Sequence, residues 1–295
     1  MKLISDQFLN SEKYQSFNRE LKIPSLQQSL FLKECNREIT FIRDDQIHPV
    51  ISGNKWRKLK FHLENYVQRK LQGISSMGGA FSNHLHALAF VCNELNIPCT
   101  LFVYGWNGEL NSPTLVDCLK WNADLQPITR QQAAIYCIQE ADATVNRNYY
   151  WIPEGGGGTL GEQGMKELVD ELPFDFDVEE NCIVCASGTG TSIQGILNHT
   201  RFCKVATQQI VKMANYPWIN NERILLIQAD RPNSFAKKDR GLLEFINDFN
   251  NSYEILLDPV YTARLMIAFL KDNGLHSYSK IYFIHTGGLQ ANRIL

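Results

Sequence analysis

Neither sign of charge is in excess: 29 Lys and Arg stand against 31 Asp and Glu, a formal net charge of −2. A chain that wraps nucleic acid or lies on an anionic membrane needs surplus cations, so both are excluded as general partners. No stretch approaches the ~20 apolar residues of a membrane span. The opening segment MKLISDQFLNSEKYQ has no apolar core of a signal peptide. The eight cysteines are therefore expected to stay thiols in the reducing cytoplasm. A single C-x-x-C, Cys182 to Cys185, has no second Cys/His pair at ligand spacing. Its context, NCIVCAS, reads as a buried strand, which argues for core packing and against a metal or redox site. There is no repeat, no low-complexity tract and no Pro/Gly linker, so any two domains share crossing connections.

What is present is an ordinary globular composition, 44% hydrophobic and 20% charged. At 295 residues the chain exceeds a typical domain of ~100–200, which predicts one large domain or two interlocked ones. Strand-like and helix-like stretches alternate. Residues 56–71 form an amphipathic helix, 74–77 a short strand, and a helix capped by Ser82 follows. Residues 98–104, 182–186 and 281–285 read as buried strands. Strands separated by helices imply βαβ units and mainly parallel sheets with helices on both faces. The fold class is α/β.

Ligands of such sheets bind outside the carboxyl ends of the strands. Four clusters fall there or just before a helix: SGNKWRK at 52–58, GGAFSNH at 78–84, PEGGGGTLG at 153–161 and ASGTGTS at 186–192. In the last, a strand runs through a Gly/Thr/Ser turn into a helix. The N–H groups of such a turn, with the helix dipole behind them, suit a phosphate, although the same pattern also serves as plain capping. It lacks the Walker lysine and the G-x-G-x-x-G spacing of nucleotide loops. Lys55 stands at a helix N-terminus, where the dipole disfavours the charged amine and favours a nucleophilic one. By itself, a solvated lysine explains that position equally well.

Four segments, RDDQIHPVISGNKWRKLKF, SMGGAFSNH, LDPVYTAR and FIHTGGLQ, occur in an order that resembles the 1-aminocyclopropane-1-carboxylate deaminase / D-cysteine desulfhydrase family of pyridoxal 5'-phosphate (PLP) enzymes. The resemblance runs from about residue 41 to 290. It implies the tryptophan-synthase-β-like fold, PLP fold type II: two three-layer α/β/α domains with PLP in the interdomain cleft. The expected large domain joins 1–57 with 153–295, and the small domain is 58–152. The resemblance makes Lys55 the Schiff-base lysine, Ser82 and Asn83 the substrate carboxylate contacts with Asn83 also beside the ring hydroxyl, and His84 their neighbour in substrate binding. Gly188, Thr189, Gly190 and Thr191 match the phosphate loop. Tyr261 is placed near the substrate, and Thr262, with Thr286 as a second partner, near the pyridine nitrogen. Lys55, Ser82 and Tyr261 are the catalytic candidates, and no metal is expected.

A carboxylate at 262 would hold the ring protonated, as in the deaminase branch. Threonine matches the desulfhydrase branch instead, so the expected activity is that of a lyase/deaminase. It would carry out β-elimination on a small amino acid to give a keto acid, ammonia and sulfide, with a homodimer implied. The runners-up are cyclopropane ring opening and a catalytically altered PLP-binding paralogue. The latter is motivated by Phe235, which stands where relatives carry a tyrosine.

Overall fold

A strand covered on both faces has no need to alternate, and the NCIVC segment, buried at all five positions, does not. The computed structural model describes residues 8, 10–109, 112–138, 148–208, 216–228 and 240–294. Phe235 lies outside them. In chain order the first elements are α1 (Glu12–Glu20), β1 (Leu26–Leu32), β2 (Arg37–Arg43), α2 (Lys55–Arg69), β3 (Gly73–Gly79), α3 (Asn83–Glu94), β4 (Cys99–Tyr104), α4 (Pro113–Lys120), β5 (Asp124–Ile128), α5 (Arg130–Ile138) and β6 (Tyr149–Ile152). There follow α6 (Gly158–Asp170), β7 (Asn181–Cys185), α7 (Thr191–His199), β8 (Lys204–Thr207), β9 (Ile224–Leu226), α8 (Arg240–Tyr253), α9 (Thr262–Lys271) and β10 (Lys280–Ile284).

The chain forms two compact units. One contains Lys55–Gly164 with the N-terminal segment up to Lys22, and the other contains Ile23–Asn54 and Met165–Arg293. The first holds a four-stranded sheet in the order β5-β4-β3-β6, with all neighbours parallel. The second holds a six-stranded sheet, β1-β2-β10-β7-β8-β9, in which only the β1–β2 hairpin is antiparallel. The α/β class with mainly parallel sheets is thus the observed one. No helix among the described residues is long and apolar enough to cross a membrane.

Successive side chains of a strand point to opposite faces, and the larger sheet uses this to build two cores. Ile281 and Phe283 of β10, with Cys182 and Val184 of β7, pack under Leu242, Ile246 and Phe249 of α8 and Leu265 and Phe269 of α9. Tyr282 and Ile284, with Ile183 and Cys185, pack under Leu168 and Val169 of α6 and Ile193 and Ile196 of α7. The two cysteines of C-x-x-C therefore sit on opposite faces and cannot share a metal or form a bridge with each other.

The unit boundaries differ from those expected at 57/58 and 152/153, and two contacts explain how. Phe17 of α1 packs edge-on against the buried Trp56 ring at 5.1 Å, tying the N-terminal helix to the first unit. Gly164 lies so close to α2 that an added Cβ would stand 2.0 Å from the Arg57 carbonyl oxygen, which keeps the start of α6 there as well. Overpacking against backbone costs ~1–3 kcal/mol or more. Gly164→Ala is accordingly expected to lose at least ~2 kcal/mol, read as a lower urea midpoint at unchanged m-value.

Candidate active site

In the first unit, α2 begins at Lys55, which is only partly buried, and the helix drives Trp56, Leu59 and Leu63 into the core. Strand β3 ends at Gly79, and Ser82 caps α3 by accepting from the Leu85 N–H at 3.3 Å. That cap uses a lone pair of the hydroxyl and leaves its hydrogen to donate. Asn83 and His84 open the helix, both buried.

The His84 imidazole faces inward. Its Nε2 lies 2.8 Å from Ser76 Oγ, and Ser76 gives its single hydrogen to the Ile152 carbonyl at 2.7 Å. Nε2 must therefore carry the proton, while Nδ1 is a buried acceptor with no partner among the described residues. Burial, with the nearby charge of Lys55, holds the imidazole well below its ordinary pKa. From its sequence position His84 is expected among the substrate-binding residues. With the ring sealed at 2% exposure, any such contact falls to its main-chain N–H.

The glycine run is organised by His62, a residue with no motif in the sequence to mark it. His62 Nε2 donates to the Gly157 carbonyl at 3.0 Å, and Nδ1 accepts from the Tyr150 hydroxyl at 3.2 Å. Gly155, Gly156 and Gly158 take left-handed φ of 71°, 72° and 78°. The turn they form packs on α2 and α3.

In the second unit, Gly190 is the N-cap of α7 at φ 85°, and no side chain caps the helix. Tyr216 donates its hydroxyl to the Gly188 carbonyl at 2.6 Å, and Trp218 Nε1 donates to the Gly190 carbonyl at 3.1 Å. Their rings stack 4.5 Å apart and are nearly parallel. With two loop carbonyls tied back, the first-turn N–H groups and the hydroxyls of Thr189 and Thr191, 3.2 Å apart, remain to meet an anion. The Tyr261 ring lies against Gly188, where an added Cβ would meet its Cε1 at 3.1 Å.

The turn before Lys55 also belongs to this unit. Gly53, at φ 77°, lies so near Thr286 that a Cβ would fall 1.7 Å from its carbonyl oxygen. Asn54 donates from Nδ2 to Ser192 Oγ of α7 at 2.6 Å. The Ser52 hydroxyl beside this turn is buried with no hydrogen-bond partner among the described residues.

Thr262 is fully buried, and its hydroxyl is engaged with Asp258. It donates to Oδ2 at 2.6 Å and accepts from the Asp258 N–H at 2.8 Å. The same carboxylate accepts from the N–H groups of Val260, Tyr261 and Thr262. Thr262 therefore acts here as part of the cap of α9, while Thr286 retains 6% exposure.

Two solved structures share this architecture. An ACC deaminase homologue superposes with a TM-score of 0.70 at 18% identity, covering 99% of this chain and 97% of that one. A hydrogen sulfide-producing enzyme from Fusobacterium nucleatum gives 0.64 at 13% identity, with 90% and 96% covered. The fold is thereby that of the tryptophan-synthase-β-like PLP enzymes. A family model described as "Pyridoxal-phosphate dependent enzyme" matches residues 20–287, and the chain belongs to that family. It is an enzyme whose cofactor is pyridoxal 5'-phosphate.

Among curated relatives, a bifunctional D-cysteine desulfhydrase/1-aminocyclopropane-1-carboxylate deaminase of Arabidopsis thaliana is 27% identical over 85% of this chain and 72% of its own length. A D-cysteine desulfhydrase of Salmonella typhi is 26% identical over 86% and 88%. The residues present fit the cofactor: a helix start with no side-chain cap suits its phosphate, and a lysine at a helix N-terminus suits its aldehyde.

His62 generates a pH prediction. An ordinary imidazole titrates at 6.5, but burial holds His62 to about 4 despite hydrogen bonds that favour its charged form. Between those values the unfolded chain binds a proton that the folded chain refuses. Its contribution, roughly 3 kcal/mol, is complete above pH 6.5 and declines as the pH falls toward 4. Urea unfolding at pH 7 and pH 4.5 should show a shallower loss for His62→Gln than for the native chain. The residual slope belongs partly to His84, shifted in the same direction. Removing the Tyr216 hydroxyl gives a second test. Tyr216→Phe is expected to weaken pyridoxal phosphate binding to the apoenzyme about three- to tenfold, for one hydrogen bond of ~1 kcal/mol.

Proposed function

We propose that this enzyme is a PLP-dependent lyase of a small amino acid, most like D-cysteine desulfhydrase, converting substrate and water to a keto acid, ammonia and sulfide. The observation that carries the site is a chain connection. Lys55 directly follows Asn54, whose amide is fixed to Ser192 in the first turn of the helix behind the Gly188–Thr191 loop. The names of the Arabidopsis and Salmonella relatives support the substrate class.

The roles follow from the groups each residue presents. Gly188, Thr189, Gly190 and Thr191 offer N–H and hydroxyl donors to the cofactor phosphate. Bound pyridoxal phosphate supplies an aldehyde for the substrate amine and a ring that accepts electron density. Lys55, once its amine is free, takes the proton from the substrate α-carbon. The Ser82 hydroxyl and Asn83 amide, at the start of α3, hold the substrate carboxylate where the helix N–H groups favour negative charge. Asn83 also neighbours the ring hydroxyl. The Tyr261 phenol, beside Gly188, serves a leaving group or its proton.

Because the Thr262 hydroxyl is engaged by Asp258, Thr286 is the more available hydroxyl for the ring nitrogen. Neither is a carboxylate, so no negative charge holds that nitrogen protonated. Such a site suits loss of a good leaving group, such as thiol, better than opening of a cyclopropane. A cytoplasmic location, a homodimer and the PLP-binding roles of the two units belong to the same proposal.

Purified holoenzyme is expected to release sulfide from D-cysteine faster than 2-oxobutanoate from 1-aminocyclopropane-1-carboxylate. Lys55→Ala should lose both that turnover and the visible absorbance of lysine-bound cofactor. A protein that binds the cofactor, yet exchanges no α-proton of any amino acid with solvent, would overturn the enzymatic assignment in favour of a binding role.

A further inference from the structure

The turn that follows β6 carries a carboxyl group that its own unit leaves half answered. Glu154 is partly buried, and its Oε1 accepts from the Tyr104 hydroxyl at 2.5 Å. Burial raises its pKa, and the Tyr104 hydrogen bond offsets part of that. The second oxygen has no protein partner among the described residues. That oxygen is not among the sealed, unpartnered polar atoms, so a ligand can reach it.

Its position indicates what could. Strands β4, β3 and β6 are consecutive neighbours in the sheet, with Tyr104 opposite Gly79 and Ile152 opposite Ser76. The Tyr104 ring lies alongside Gly79, where an added Cβ would meet it at 3.4 Å. Its hydroxyl thus reaches past the end of β3 to Glu154, three residues upstream in the chain from Gly157 and on the side of the sheet where ligands of α/β proteins collect. The Glu154–Gly156 turn packs on the helices that begin at Lys55 and at Asn83. An added Cβ on Gly156 would lie 3.1 Å from Lys58 Cβ and 3.6 Å from His84 Nδ1.

We propose that Glu154, held in place by Tyr104, is a specificity-determining residue whose open carboxyl oxygen receives a hydrogen-bond donor at the end of the substrate side chain. This rests on the reading of the site as an amino-acid site and narrows its substrate class. An ammonium is the strongest such donor, because both partners then carry charge. A hydroxyl follows, then the weaker S–H donor of cysteine, and a methyl group offers nothing. Tyr104 orients the carboxyl plane and does not itself touch the substrate.

The test is an absorbance titration of the holoenzyme with 2,3-diaminopropionate, serine and alanine. The native protein is expected to bind diaminopropionate at least about tenfold more tightly than alanine, with serine between them. Glu154→Gln, nearly isosteric, should bring the three within about threefold of one another. Tyr104→Phe keeps the charge and should retain most of the preference. Equal affinities in the native protein overturn the proposal without any variant, and so does a preference that survives Glu154→Gln. If no amino acid perturbs the cofactor spectrum, the amino-acid reading of the site fails, and the role of Glu154 falls with it. Amino acids that bind without the ranking sink this inference alone.

Discussion

The contact on which the rest depends is the backbone of Gly53 pressed against the Thr286 carbonyl. No residue with a side chain fits there, and the φ of Gly53 is one that L-residues rarely adopt. It joins the turn before Lys55 to the turn that ends β10. Asn54 then carries the same constraint into α7 through Ser192. The lysine therefore leaves a backbone pinned at two points, and its amine starts from a defined place. On the role proposed for Lys55, a tether held this way would restrict where a covalently bound aldehyde can lie, which is the positional part of catalysis.

The Gly188–Thr191 turn shows a second use of the same principle. Preorganisation there consists in disposing of the wrong dipoles. Tyr216 and Trp218 take the carbonyls of Gly188 and Gly190, so that an arriving anion does not face acceptor oxygens. In the same unit, Asp258 gathers three N–H groups and the Thr262 hydroxyl into one closed cap. Both devices spend buried polar groups on one another and leave the first turn of α7 open.

How much of this was legible in the sequence depended on range. The alternation of strands and helices was readable because NCIVC and IYFI sit inside continuous apolar runs, and their parallel pairing in the structure follows from the intervening helices. The Gly188–Thr191 turn and Ser82 were readable because caps are local patterns of three or four residues. Tyr216 and Trp218 were not: they act on residues 28 positions earlier, and the segment NYPWIN carries no local mark of a hydrogen-bond donor. Thr262 was legible as a position and not as a contact, since the direction of a hydroxyl is decided by Asp258, four residues back. His84 was grouped with the substrate contacts because it follows Ser82 and Asn83, whereas the direction of its ring is set by Ser76, eight residues back. The unit boundaries depended on Phe17 meeting Trp56 and Gly164 meeting Arg57, neither of which has a pattern in sequence.

The distribution of sulfur has a practical consequence. Cys92, Cys99 and Cys118 are buried in the first unit, and Cys182, Cys185 and Cys203 in the second, and none of these six is in a disulfide. A thiol reagent meets these six only when the structure around them opens. Because each half carries its own three, peptide-resolved labelling would time the breathing of the two halves independently, with the exposed Cys137 as an internal clock.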